Sequence, residues 1–258
     1  MPELTIGQYS TVYNMFSFTI ASMFASFVFF VLARDLLSQK YKISMILSAL
    51  VVGIAGYHYI RILGSWEGAY QLVDGIYVAT GKPFNDAYRY VDWLLTVPLL
   101  MAELIAVLAL TPAVRKVLTA DLMIAAVLMI ILGYPGEIMD EKKIFGMYGV
   151  WGTLSTIPFV YILYVLWVEL GKFMKDQPAT VNVLVRNIRL LTVATWGFYP
   201  IAYIIGAGGG GDSAGAEIGL QVGYTIADVL AKCGYGLMIY HIARAKMEAE
   251  GDLLATNR

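Results

Sequence analysis

The sequence predicts an all-α membrane protein, a seven-transmembrane helix bundle with the N-terminus outside and the C-terminus cytoplasmic. Three observations predict it. Of 258 residues, 59% are hydrophobic and 14% charged, too apolar a balance for an ordinary soluble domain. Stretches apolar enough to cross a bilayer recur at roughly 12–32, 44–63, 86–109, 117–134, 145–171, 181–205 and 218–243. The connections alternate in charge, and cytoplasmic connections are the ones that retain lysine and arginine. One domain, 1–258, is expected, multi-pass in a prokaryotic plasma membrane.

Span one is uniformly apolar and is followed by Arg34, Lys40 and Lys42. No charged segment with a small-residue cleavage site precedes it, so no removable signal peptide is read and span one itself is expected to direct insertion. Span two contains His58, one of two histidines, within GYHYIRILG. A buried histidine is either a satisfied packing residue or a proton-sharing partner of a carboxylate, and both readings stay open. The next connection carries Glu67 and Asp74 against Lys82, as an outer connection should.

Span three, RYVDWLLTVPLLMAEL, places Arg89, Asp92, Thr96 and Glu103 in an otherwise apolar helix. At about 100° per residue, Asp92 and Thr96 lie one turn apart on one side, and Glu103 returns to nearly that side about 16 Å further along the axis. The result is a line of proton-exchanging groups across the membrane, with Arg89 outermost and Glu103 near the cytoplasmic end. An apolar surround favours a neutral carboxyl, so Glu103 is expected to hold a proton that it can donate. The plainer alternative is a carboxyl hydrogen-bonded to a neighbouring helix.

Arg115 and Lys116 mark the inner end of span four, the shortest of the seven, and its outer connection carries Glu137, Asp140 and Glu141 with Lys142 and Lys143. Lys172, Lys175, Arg186 and Arg189 flank the inner connection between spans five and six. Pro98, Pro158 and Pro200 fall inside spans and are expected to kink them rather than end them. The glycine-rich stretch 206–219, with Asp212 and Glu217, is expected to be an outer linker.

Span seven, IGLQVGYTIADVLAKCGYGLMIYHIA, holds Lys232 with Asp228 four residues before it, on one helix face. A charge near the bilayer centre costs roughly 3 kcal/mol or more, so an ionisable residue there marks a functional site by default. The alternative is a salt bridge that only joins two helices. A cation flanked by Asp92, Asp228 and Arg89 would form a compensated cluster. Cys233 has no partner for a disulfide and is expected to pack as a small residue, and His241 to sit at the interface. Arg244, Lys246 and Arg258 complete the inner positive charge. A net charge of −1 without a basic patch argues against nucleic acid as a partner. No metal site is expected.

Together these residues resemble a microbial (type 1) rhodopsin over nearly the whole chain. DVLAKCGYG at 228–236 is similar to the family's retinal-binding motif, RYVDWLLTVPLL to its third-helix signature, and WGFYP at 196–200 to its sixth. The resemblance implies all-trans retinal bound at Lys232 as a protonated Schiff base, with Asp92 and Asp228 as counterions. Trp93, Trp196, Tyr199 and Pro200 would surround the polyene, and Tyr203 and Phe159 would complete the pocket. The set Asp92, Thr96 and Glu103 resembles that of outward proton pumps of the proteorhodopsin and xanthorhodopsin groups: Asp92 as proton acceptor, Glu103 as donor. Thr96 would hydrogen-bond Asp92, Arg89 would tune it, and His58 matches the histidine that partners the acceptor. Leu100 matches green-absorbing members.

In GVWGTLSTIPFVYILYVLW, Gly152 takes a position filled by tryptophan in haloarchaeal pumps. In xanthorhodopsin-like pumps such a glycine opens a window for a carotenoid antenna, whereas a small residue also simply lets two helices approach. The paired outer glutamates of haloarchaeal pumps have no counterpart around Glu217. The implied activity is that of a light-driven ion transporter, not an enzyme, working in a lipid bilayer on protons as a homo-oligomer. Two other classes stand beside it: a sensory photoreceptor with a slow photocycle and no net transport, and a retinal-free transporter using Lys232, Asp92 and Asp228 for an ion or solute.

Overall fold

In a computed structural model, which describes residues 1–85, 87–108, 110–139, 142–175, 177–207 and 213–251, the chain forms seven helical spans. The first four are single α-helices: α1 (Ile6–Ala33), α2 (Lys42–Ala69), α3 (Tyr88–Val107) and α4 (Pro112–Glu137). The fifth runs through α5 (Met147–Tyr164), a π-helical turn (Val165–Glu169) and α6 (Leu170–Met174). The sixth comprises α7 (Ala179–Trp196) and α8 (Phe198–Ala207). The seventh comprises α9 (Ala214–Val229), a π-helical turn (Leu230–Gly234) and α10 (Tyr235–Ala249). Among the described residues, the first six spans are by length and composition apolar enough to cross a membrane. The seventh carries Glu217, Asp228 and Lys232.

Large apolar side chains lie exposed along the spans, Phe18, Leu32, Ile157 and Ile204 among them. A helix apolar on its outward side as well as its inward side is suited to lipid. The main apolar core runs from Met23 to Met247 through all seven spans, and a second cluster around Phe16, Tyr59 and Trp66 fills the end that holds the N-terminus.

Several boundaries differ from expectation. The first helix begins at Ile6 because Thr5 and Gln8 form a reciprocal capping box. The fourth, at 26 residues, is longer than the third, at 20, since Pro112 opens it in the first turn, where a missing N–H costs nothing. Pro98 and Pro158 lie inside helices as expected. Pro200 too lies inside its span and breaks the regular hydrogen bonding without ending it: proline can neither bond to nor clear the carbonyl of Trp196, so the helix is interrupted at Gly197 alone and continues as α8 with Pro200 in its first turn. The expected linker 206–219 is helical from Ala214, where Ser213 caps α9 through the Ala216 amide. Residues 208–212 of that linker, including Asp212, lie outside the described residues, as do Asp140, Glu141 and Arg258.

The connection between α2 and α3 is not a plain loop. It folds into β2 (Tyr70–Val73) and β3 (Ile76–Ala79), joined by Asp74 and Gly75, both at positive φ, and β3 also pairs with β1 (Leu4–Thr5). Leu4 faces Tyr77 in the ladder, and Tyr9 stacks on Tyr77 with ring centroids 3.7 Å apart. This small sheet caps the end of the bundle nearest Arg89.

Candidate functional site

The π-helical turn in the seventh span contains Lys232, whose side chain is 2% exposed. Its Nζ lies 2.7 Å from Oδ1 of Asp228 and 2.9 Å from Oδ2 of Asp92. Both carboxylates are buried, so the geometry unites the three residues that the sequence singled out. A buried cation persists only where opposite charge and hydrogen bonds replace its water.

The two carboxylates have opposite surroundings. Oδ1 of Asp228 also accepts the Tyr199 hydroxyl at 2.6 Å and the Trp93 indole N–H at 3.3 Å, and Oδ2 accepts the Tyr59 hydroxyl at 2.7 Å. Asp92 has the Lys232 contact, and neither of its oxygens accepts a hydrogen bond from any other described residue. Oxygens saturated with donors are a poor place for another proton; oxygens with free lone pairs are a good one. Tyr59 was missed in the sequence, hidden beside His58 among the ordinary aromatics of a membrane span.

The other expected site residues make contacts of their own. Thr96 does hydrogen-bond Asp92, but to its backbone carbonyl at 2.8 Å and not to its carboxylate, because a threonine one turn on in a helix reaches back to that oxygen. His58 is buried, edge-on to Tyr57, with no described partner for Nδ1 and no hydrogen bond to Asp92. Arg89 is buried, donates to Oε1 of Gln221 at 2.5 Å and lies over the Tyr224 ring at 4.7 Å. Gln221 in turn donates to Glu217 at 3.0 Å, so a polar line leads from Arg89 to the start of α9. Gln221 was another residue missed.

Glu103 is fully buried and apart from this cluster, towards the other end of α3. Its Oε2 accepts the Ser48 hydroxyl at 2.7 Å, and Oε1 has no described partner. The hydrogen bond to a neighbouring helix, one of the two readings of this residue, is therefore present. It does not exclude the other.

From Lys232 a cavity of about 240 Å³ extends among the third, fourth, fifth and sixth spans. Trp93, Leu100, Phe159, Trp196, Tyr199, Pro200, Tyr203 and Gly152, the residues that the resemblance assigns to the retinal site, all line it, together with Tyr90, Met129 and Gly133. Trp93 and Tyr199 meet edge to face at 4.8 Å. Narrow, apolar, walled by flat rings and ending on one buried amine, the space suits a rod-like polyene aldehyde such as retinal.

Beside Gly152 the fifth and sixth spans are clasped. Tyr148 donates to the carbonyl of Tyr203 and Tyr203 to that of Tyr148, each at 2.7 Å, with the rings stacked 4.0 Å apart. The Tyr203 ring lies where a Cβ on residue 152 would stand, so the glycine permits this approach. The cavity wall continues to Thr153, Thr156 and Ile204, which are exposed on the outer surface of the bundle. Close approach and a lateral opening thus occur at the same place.

Comparison with known proteins gives the same picture. The family model described as bacteriorhodopsin-like protein matches residues 11–246. The green-light absorbing proteorhodopsin of gamma-proteobacterium EBAC31A08 is 32% identical over 244 residues, 93% of this chain and 89% of that protein. The crystal structure of xanthorhodopsin, described as a light-driven ion pump with dual chromophore, superposes with a TM-score of 0.94 at 60% identity, over 97% of this chain and 99% of that one. A thermophilic rhodopsin superposes equally well, with a TM-score of 0.94 at 54% identity over the same shares.

Proposed function

The chain belongs to the bacteriorhodopsin-like family, and on that premise we propose that it is a light-driven outward proton pump of the xanthorhodopsin kind, with retinal held on Lys232. Joined to Nζ as a protonated imine, retinal would supply visible absorption and a light-driven change of shape. Trp93, Trp196 and Tyr199 would hold it and exclude water.

The observation that carries the reading is the unequal pair of carboxylates at Lys232. Asp228, with donors from Tyr59, Tyr199, Trp93 and Lys232, stays an anion and fixes the amine. Asp92, 2.9 Å from Nζ and otherwise without donors among the described residues, takes the proton that the Lys232 nitrogen gives up. Glu103, buried at the other end of α3, returns one. With acceptor and donor on opposite sides of the amine, two transfers and one change of access move a proton across the membrane. The direction is outward when the end bearing the N-terminus and the sheet faces outside, as the excess of lysine and arginine at the other end supports.

A carotenoid lying against Thr153, Thr156 and Ile204 would pass light energy through the opening beside Gly152. The opening and the likeness to xanthorhodopsin, whose structure is described as having a dual chromophore, support this. Self-association of the chain and a green absorption band rest on the family likeness and on Leu100 in the cavity wall.

The deciding experiment is the pH of a weakly buffered suspension of retinal-supplied expressing cells under green light. Acidification that a protonophore abolishes establishes outward pumping; a coloured protein that moves no protons points to a photosensor, and a colourless one to a retinal-free transporter. Added carotenoid should contribute to the action spectrum of pumping, and Ile204→Trp should remove that contribution while leaving retinal absorption in place.

A further inference from the structure

At the inner end of the bundle lies a buried lysine that the proton path above does not use. Lys246 of α10 is 6% exposed, and its Nζ donates to the carbonyl of Leu108 at 2.9 Å and to Oε1 of Gln177 at 2.7 Å. Leu108 caps the end of α3, just beyond Glu103. Its carbonyl is one of those that a helix leaves unpaired, and a cation there is favoured by the helix dipole. Gln177 leads into α7 and is held in its own turn, its amide bonded to the Met174 carbonyl and its carbonyl to Asn182. One ammonium group therefore ties the third, sixth and seventh spans together at a single point.

The seventh span is itself fastened there. Both oxygens of Glu250 accept the Tyr41 hydroxyl, at 2.8 and 2.9 Å, and Glu250 pairs with Lys40. The end of α10 is thus a fixed post on the connection between α1 and α2, and Lys246 is the tie from that post to α3 and α7. Glu103, with no exposed surface, shares its end of the bundle with Val107, Leu108, Ala243 and Met247, all fully buried. A proton from the inner solution reaches it only when this packing loosens.

We propose that Lys246 is a positioning residue for the refilling of Glu103: its tie between Leu108 and Gln177 holds the inner mouth shut and sets the rate at which bulk protons reach the carboxyl. The proposal rests on the pump reading. Breaking the tie speeds entry without touching the internal transfer from Glu103, because Lys246 contacts neither Glu103 nor the Lys232 cluster.

The test follows proton uptake with a pH-indicator dye, and the coloured intermediates by flash absorbance, in the full retinal-loaded chain. Gln177→Leu keeps the lysine's charge and breaks one arm of the tie; Lys246→Met removes both. In each, uptake should be at least about threefold faster, with the internal reprotonation step at its wild-type rate and Lys246→Arg close to wild type. Unchanged or slower uptake in Gln177→Leu overturns the proposal, and so does acceleration confined to Lys246→Met, which would assign the effect to charge. Should Lys246→Met fail to fold, Gln177→Leu decides alone. If the unaltered protein moves no protons in light, the pump reading fails and the tie has nothing to gate.

Discussion

Tyr59 and Asp228 meet at 2.7 Å, hydroxyl to Oδ2, across the second and seventh spans, and this tyrosine is the one donor found for that oxygen among the described residues. Tyr59→Phe leaves a buried carboxylate oxygen short of its partner, at a cost of about 1–3 kcal/mol. The retinal-loaded variant should therefore bleach at a lower temperature than the parent. An unchanged bleaching temperature would mean that Oδ2 is satisfied without the phenol.

Asp92→Asn removes the carboxylate with room for a proton while leaving the four donors of Asp228 in place. Light-driven acidification should fall to background, and the absorption band should move to longer wavelength because a counter-charge near Nζ is gone. Retained pumping would place the acceptor elsewhere.

Glu103→Gln keeps a group that Ser48 can hydrogen-bond but supplies no proton. Recovery of the dark state should slow and become dependent on bulk pH, with colour almost unchanged, since Glu103 lies far along α3 from Lys232. Ser48→Ala should disturb the same step less. Flash absorbance separates the two; fast, pH-independent recovery in Glu103→Gln would remove Glu103 from the donor role.

Gly152→Ala should be costly for so small a change. A Cβ there would stand 2.6 Å from Cε1 of Tyr203, and that ring is held by its stacking and reciprocal hydrogen bonds with Tyr148. Overpacking of this kind costs about 1–3 kcal/mol. Thermal bleaching should show the loss in the single variant and a smaller loss when Tyr203→Ala is added. Additive losses would mean that the ring moves aside freely.

Tyr70, at the start of β2 in the small sheet, has its phenol pushed up from 10 to about 12 by burial first and then by Glu217. The unfolded chain loses this proton near pH 10, the folded one near 12, so the folded state binds more protons between them. Stability from this group is complete below pH 10 and is lost as pH rises towards about 12. Comparing tyrosinate absorbance of the parent with Tyr70→Phe should isolate one phenol titrating near 12; ionisation near 10 would mean that the phenol is open to water.

Much of this was legible in the sequence, because length and apolarity mark spans and an ionisable residue inside one stands out against lipid. Lys232, Asp228 and Asp92 were visible for that reason. Tyr59, Ser48 and Gln221 were not, since tyrosine, serine and glutamine are tolerated in spans for packing alone, and only three-dimensional proximity turns them into partners. The hairpin between α2 and α3 could have been read: Asp74-Gly75 between QLV and IYVA is the pattern of a two-residue turn with both φ positive. The π-helical turn at Lys232 left no local mark. At Gly152 sequence offered two readings, and the geometry contains the basis of both.

The pairing of Leu4 and Thr5 with Tyr77 and Ile76 has a consequence for biosynthesis. The strand that completes the first end of the chain is made only after the whole of α2 has emerged and its hairpin has closed. Until then Leu4 has no ladder partner, and the Tyr9 ring no Tyr77 to stack on. The end of the first span that bears β1 stays unfinished until then, and the second span to arrive completes it.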